Sequence, residues 1–212
     1  RRKLHPFLLR RLKKQVAKDL PPKIERIAPC KLTDDQAMVY KQLLDASKNR
    51  IGEMVEKEGF NKSRMEILKT LLRLRQTCNH IDLLQLENVN SKKPSGKMEL
   101  FLSLLNEAID SSHRVLVFSQ FTAMLAILKK ELDKQKLQYC YLDGGTKDRQ
   151  DVVRLFNSNH SIPVFLMSLK AGGTGLNLTG ADMVIHFDPW WNPAVENQAT
   201  DRAHRIGQKR TV

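Results

Sequence analysis

The stretch "PVFLMSLKAGGTGLNLTGADMVIHFDPWWNPAVENQAT", residues 163–200, decides the fold. It holds two short apolar runs, "PVFLMS" at 163–168 and "DMVIHF" at 182–187. A glycine-rich loop follows the first run, and a helical spacing follows the second. Both runs are nearly continuous rather than alternating, the pattern of strands covered on both faces. The same unit recurs upstream. "RVLVFSQF" (114–121) precedes a helix through Met124, Leu125, Leu128 and Leu132, and "QYCYLD" (138–143) precedes one containing Val152, Val153, Leu155 and Phe156. Strand–helix alternation of this kind predicts an α/β fold, a parallel sheet with helices on both faces. Ligands of such sheets bind beyond the carboxyl ends of the strands. That rule selects four loops: "SQF", "DGGTKDR", "SLKAGGTGLN" and "DPWWNP".

Before the sheet the rhythm is helical. Thr33, followed by Asp34, Asp35 and Gln36, is a helix-start signal resembling a capping box. Met38, Tyr40, Leu43, Leu44, Ile51, Met54 and Val55 then recur at helix-compatible spacing. Met65, Ile67, Leu68, Leu71, Leu72 and Leu74 repeat the pattern, so residues 33–90 are predicted to be mostly helical. "LPPKIE" at 20–25 forces an extended passage before them, and "NVNSKKPSGK" at 88–97 reads as a linker. The expected division is a basic leader over 1–32, a helical part over 33–95 and the sheet domain over 96–212. The chain begins "RRK" without an initiator Met and stops in mid-flow at "KRTV", the mark expected of an excised piece whose last domain is cut short.

The chain of 212 residues is 41% hydrophobic, enough for a buried core and too much for wholesale disorder. Its net charge of +13 points to a polyanionic partner. The excess sits early: residues 1–95 carry 22 Lys and Arg against 11 acids. A merely solvated basic face is the equally good reading of that run. Cys30, Cys78 and Cys140 are odd in number and lack CxxC spacing, which suits reduced thiols in an intracellular protein. "TCNH" offers Cys78 and His80, but no second ligand pair follows, so no metal site is expected. No apolar run approaches the ~18 residues of a membrane span, and no signal peptide is recognisable.

The glycine loop contains Gly172, Gly173, Gly175 and Gly180 and could turn its N–H groups toward phosphate oxygens, or be only a tight connection. It matches neither GxxxxGK[ST] nor GxGxxG. "PSGKME" at 94–99 has a GK but neither the leading glycine nor the following Ser/Thr, and no Asp-Glu pair occurs to hold magnesium. The phosphate-binding machinery of a complete nucleotide hydrolase is thus missing. In "ENQATDRAHRIGQ", residues 196–208, helical spacing would put Gln198, Asp201, Arg202 and Arg205 on one face. Asp201 four residues before Arg205 suits a solvated ion pair, while the arginine pair equally suits a transferring phosphoryl group.

The run from "FLMSLKAGGTGLN" to "NQATDRAHRIGQKR" resembles the second motor lobe of the Swi/Snf family of superfamily-two, helicase-like ATPases. The resemblance covers almost the whole chain. "LHPFLLRRLKK" with "LPPKIE" is similar to the segment entering that lobe, "LRQTCNHIDLL" to its helical insertion, and "SGKMELFLSLL" to the helix leading into the sheet. "VLVFSQF", "YLDGGTKDRQ", the glycine loop and "QATDRAHRIGQ" resemble family motifs IV, IVa, V and VI in order, and the wording of the last two leans toward the bacterial and archaeal branch.

The resemblance implies a RecA-like lobe of a chromatin-remodelling-type translocase on double-stranded DNA, with ATP and Mg2+ bound mainly by a missing N-terminal lobe. Arg202 and Arg205 match the arginines that reach the γ-phosphate, and Gln198, Gly175 and Asn177 match positions near the nucleotide. Asn177 stands where related proteins often carry an acid. Ser119, Gln120, Gly144, Lys147, Arg149, Ser168, Leu169 and Lys170 would line the DNA track, with Trp191 beside it and at least one of Trp190 and Trp191 buried. "CNHID" departs from the family, which commonly has proline after the His; only helix packing is expected to feel this. The implied partners are duplex DNA, the other lobe and a protein docked on the helical insertion, with no membrane. The implied location is the cytoplasm or nucleoid of a prokaryote, or a eukaryotic nucleus. The other reading is a nucleic-acid-binding or partner-docking module without ATP turnover.

Overall fold

The computed structural model describes residues 17, 19–86, 93, 95–171 and 175–212. The first sixteen residues of the basic leader, most of the linker, and Gly172 and Gly173 of the glycine loop lie outside the described residues. Among the described residues two helices come first, α1 (Asp34–Glu58) and α2 (Phe60–Asn79), followed by a 3-10 turn at Ile81–Leu84. The sheet domain then runs α3 (Gly96–Asp110), β1 (Val115–Ser119), α4 (Thr122–Lys134), β2 (Tyr139–Leu142), α5 (Arg149–Ser158), β3 (Val164–Ser168), β4 (Met183–His186) and α6 (Pro193–Thr200). No helix among the described residues is long and apolar enough to cross a membrane.

All four strands are parallel, in the order β2-β3-β1-β4. The continuous apolar runs exist because β1 and β3 are buried at every position. Alternate residues of β1 face opposite cores. Val115 and Val117 pack with Phe101 and Leu105 of α3 and Leu125 and Leu128 of α4. Leu116 and Phe118 pack with Val153 and Phe156 of α5 and Ala199 of α6. The sheet is therefore sandwiched as the sequence pattern predicts. Arg114 closes the amino end of β1. Its guanidinium donates to the carbonyls of Phe156, Asn159, Ile162 and Gly180, while its amide donates to Asp182 Oδ1 at 2.9 Å.

The capping box at Thr33 is realised: Gln36 N donates to Thr33 Oγ1, and Gln36 Oε1 accepts from Thr33 N, both at 3.2 Å. The same Gln36 is fully buried and ties three helices together. Its Nε2 donates to Thr77 O of α2 at 2.7 Å, and its Oε1 accepts from Gly96 N of α3 at 2.9 Å. Gly59, at φ +81°, allows the sharp break between α1 and α2. The reading of 88–97 as linker runs too far, because Ser95 caps α3 through Met98 N and the helix starts at Gly96.

The helical pair departs from its apolar pattern. Met38 is 60% exposed, Met65 65% and Leu68 58%, whereas Gln36, Ser63, Thr77 and Asn79 are buried. Two helices bury only the faces turned to each other and to α3, and polar side chains fill that joint through hydrogen bonds. His80 also belongs to it, its Nδ1 accepting from Asp82 N at 3.2 Å to cap the 3-10 turn.

A Cβ placed on Gly96 would lie 2.2 Å from the Lys31 carbonyl oxygen. Gly96→Ala should therefore destabilise the chain by about 1–3 kcal/mol, the range for overpacking a tight site, read as a lowered urea midpoint.

Candidate functional site

The carboxyl ends of the strands converge on one edge. Ser119 and Ser168 end β1 and β3 as register partners, and both are buried. Ser119 Oγ accepts from Phe121 N at 3.1 Å, and Ser168 Oγ accepts from Ala171 N at 3.2 Å. Leu169 is buried too, whereas Lys170 is exposed. Of the side chains expected along the DNA track, Ser119, Ser168 and Leu169 thus serve the turns, and Lys170, Lys147 and Gly144 lie at the surface. Arg149 is half-buried and closes the Gly144 turn by donating to Thr146 O and Gly144 O. Asp143 shapes that turn, its Oδ1 accepting from Gly145 N at 2.9 Å. A hydrogen bond from Tyr141 holds the Asp143 carboxyl below the usual carboxylate range, and burial pushes the Tyr141 hydroxyl up to about 12.

After β4 the chain turns through Asp188, which is buried and whose Oδ2 accepts from Gln120 N at 3.1 Å. Burial pushes its carboxyl above the ordinary range, against hydrogen bonds from Ser119 and Gln120. Trp190 is half-buried and packs against the core, and Trp191 is 65% exposed, so neither is fully buried, contrary to the expectation that at least one would be. The reason is Arg75 of α2. Its guanidinium lies 5.5 Å from the Trp190 ring and 4.9 Å from the Trp191 ring, and it donates to Pro189 O and to Gln120 Oε1. A cation over two indole faces holds the loop without burying it. This residue escaped the sequence reading, because only the fold brings α2 against "DPWW".

The arginine segment differs most from expectation. α6 ends at Thr200, so Arg202 and Arg205 lie in the turns beyond it and not on a continued helix. Tighter turns follow, with Ala203 N bonded to Thr200 O and Gln208 N to Arg205 O. Two anchors impose them. Arg202 O accepts from Leu178 N at 3.0 Å, tying the turn to the glycine loop. Gln208 is buried, its Nε2 donating to the carbonyls of Thr179, Ala181 and Ala203 while its Oε1 accepts from Lys209 N and Arg210 N. Gly207, at φ +102°, supplies the left-handed residue between the arginines and this anchor.

The two guanidinium groups are consequently unlike. Arg205 is exposed and donates to Leu176 O at 3.2 Å, with Gly175 O at 3.5 Å. Arg202 is only 7% exposed, and its buried Nε has no hydrogen-bond partner. Burial, then the neighbouring Arg205, pull the Arg202 guanidinium below its ordinary value, while Asp201 acts against them. A desolvated cation beside a second cation is a ready place for an oxyanion. Gly175 (φ +36°) and Asn177 sit exposed on the adjoining loop, and Gln198 is exposed on the last turn of α6.

Two further contacts brace the turn. His186 Nε2 lies 2.9 Å from Thr200 Oγ1, with the ring stacked on Phe118. The extended segment after Leu20 also lies against it: His204 Nε2 meets Pro21 O at 2.8 Å, and Lys23 Nζ donates to Asn197 Oδ1 at 3.0 Å. Ile24 N bonds Val212 O at 2.8 Å, and Val212 N returns the bond to Pro22 O at 3.2 Å.

The family profile described as the helicase conserved C-terminal domain matches residues 96–207, and that of the SNF2-related domain matches residues 1–83. An uncharacterized ATP-dependent helicase of Mycoplasma genitalium is 41% identical over 214 residues, covering 100% of this chain and 20% of the relative. The chain therefore spans about a fifth of that relative's length. The Sulfolobus solfataricus SWI2/SNF2 ATPase core in complex with dsDNA superposes with a TM-score of 0.75 at 37% identity, covering 98% of this chain and 44% of the other. The C-terminal domain of the Sulfolobus solfataricus SWI2/SNF2 ATPase superposes at 0.72 with 38% identity, covering 82% of this chain and 76% of that domain.

Burial lowers the pKa of His186, so the fold favours its neutral ring. That contribution is present above the ordinary histidine pKa of about 6.5 and is lost as pH falls through it toward the depressed folded value. The melting temperature should accordingly drop between pH 7.5 and 5, and His186→Gln should reduce that drop.

Proposed function

Because this chain belongs to the Swi2/Snf2 family of helicase-like ATPases, we propose that it is the second motor lobe of an ATP-dependent translocase on double-stranded DNA, of the chromatin-remodelling type. The observation that carries the proposal is the buried Arg202, whose Nε has no hydrogen-bond partner, beside Arg205 on a turn fixed by Gln208 and Leu178. A DNA-binding module without ATP turnover gives no account of a buried cation with an open valence, since a solvated arginine would serve it better.

In this reading ATP lies between two lobes, and Mg2+ arrives with it, held by the other lobe. Arg202 and Arg205 meet the γ-phosphate across the cleft and stabilise the charge that spreads over its oxygens during transfer. Arg202 needs little reorganisation, because its Nε is already stripped of water and lacks a competing acceptor. Gln198 seats the lobe interface, and Gly175 and Asn177 bring the glycine loop alongside the nucleotide. That loop is tied to the arginine turn by the Arg202 carbonyl, by Arg205 at Leu176 O and by Gln208 at Thr179 O, so displacement of the turn would be felt in the loop.

DNA would run over the loops after the strands. Lys147, Lys170 and Arg149 supply cations for phosphates, Gly144 and the turns at Ser119, Ser168 and Leu169 supply close backbone approach, and Gln120 and Trp191 face the same track. Such contacts carry no base sequence, as translocation requires. Opening and closing of the cleft with each ATP would move these loops along the backbone without separating the strands.

In the complete protein, Arg202→Ala should lower DNA-stimulated ATP hydrolysis by about 10³-fold or more, while DNA affinity changes little. Normal turnover in that variant would remove Arg202 from the reaction. Residues 1–212 alone should hydrolyse no ATP with or without duplex DNA, and measurable DNA-stimulated turnover by them would overturn the lobe assignment.

A further inference from the structure

Helix α2 has two faces with side chains at helical spacing, and the structure covers one. The stripe Ser63, Ile67, Thr70, Leu74 and Thr77 is buried or half-buried in the joint with α1. The opposite stripe holds Met65, Leu68 and Leu72, spaced three and four residues apart, and these are 65%, 58% and 45% exposed. Phe60 and Leu71 widen it at 60% and 39% exposure. A helix whose solvent side is more apolar than its covered side lacks a neighbour.

The spacing of that outer stripe says what the neighbour is. Met65, Leu68 and Leu72 fall on the a, d and a positions of a heptad. The flanking e positions are Lys62 and Lys69, the preceding g position is Arg64, and all three are exposed. Arg64 also lies over the Phe60 ring, 5.8 Å from its centre, so it borders the stripe. Among these flanks there is no acid; Glu66 is turned to the other side, where it pairs with Arg50 of α1 at 3.3 Å. We propose that the outer face of α2 is a docking seam for an acidic amphipathic helix of a partner protein, one presenting apolar side chains to Met65, Leu68 and Leu72 and carboxylates to Lys62, Arg64 and Lys69.

The seam is a protein interface, distinct from the expected DNA track. Duplex DNA offers phosphates to the cations but nothing to the exposed leucines. A second copy of this chain would set the same cations against each other. The exposed stripe from Phe60 to Leu72 runs for about 18 Å, room for about three turns of a partner helix. The seam does not depend on the motor reading: loss of ATPase in an Arg202 variant leaves it untouched, and loss of the seam leaves ATP turnover untouched.

The test uses two fluorescein-labelled synthetic peptides of three heptads with leucine at a and d. One has glutamate at e and g, the other lysine. Fluorescence anisotropy with the 212-residue chain should show the glutamate peptide binding at least tenfold more tightly than the lysine peptide. Leu68→Glu with Leu72→Glu should weaken the glutamate peptide at least tenfold, with unchanged helical circular dichroism. Lys62→Glu with Lys69→Glu should reverse the preference toward the lysine peptide, an outcome that neither misfolding nor general stickiness produces. Equal binding of both peptides, or of neither, overturns the proposal. So does a dimer of the chain in sedimentation that Leu68→Glu dissolves, or duplex DNA affinity that falls with the same leucine substitutions.

Discussion

The structure depends on the complete burial of β1 between two cores and two neighbouring strands. From Val115 to Phe118 no side chain can be polar without losing solvation, and the backbone is paired on both sides with β3, β4 and the residues flanking them. Polar chemistry is thereby pushed past the strand ends, and the two ends treat it differently. At the amino end Arg114 and Asp182 exhaust their bonding on carbonyls, an amide, His113 and Arg210. At the carboxyl end bonding is left incomplete: Gln120 Nε2, Asp188 Oδ1, Asn79 Nδ2 and Arg202 Nε are buried without partners. One end serves stability, and the other keeps unfilled valences.

The helical pair is fastened to that unfilled end. Lys97 of α3 donates to Asn79 Oδ1 at 2.8 Å and reaches Phe187 O, and Arg75 closes over the tryptophans. Burial pulls the Lys97 ammonium below its ordinary value, with the Asp188 charge opposing it. α1 and α2 are thus continuous, through Gln36, Asn79 and Arg75, with the loops after β1 and β4. Two arginines show the range of treatment this arrangement permits. Arg75 has its charge spread over two rings and two oxygens, whereas Arg202 is dehydrated with an open valence.

The strands were legible in the sequence because burial on both faces leaves the unbroken runs of 115–118 and 164–167, a signal that survives without any tertiary knowledge. The start of α1 was legible because a capping box is local chemistry. The arginine turn was not: helical spacing through 198–205 is real, but the Leu178 amide and the carbonyls of Thr179 and Ala181 that hold Gln208, all brought from another part of the fold, prevail over the helix after Thr200. Burial on α1 and α2 was also illegible, since an apolar pattern reports which faces seek a neighbour and not how many neighbours are present. The positions flagged for phosphate and DNA are gathered at one edge, yet Ser119, Ser168 and Leu169 are covered there, because strand-end serines complete turns before they can reach outward.

The segment from Pro21 to Ile24 gives the lobe a mechanical property. It is stitched to Asn197, His204 and Val212, all within or just beyond the arginine segment, before the chain enters α1. Among the described residues, tension along the polypeptide ahead of Pro21 would therefore be borne first by these few bonds and would load the arginine turn in shear. The turn is placed to feel a pull before any strand does.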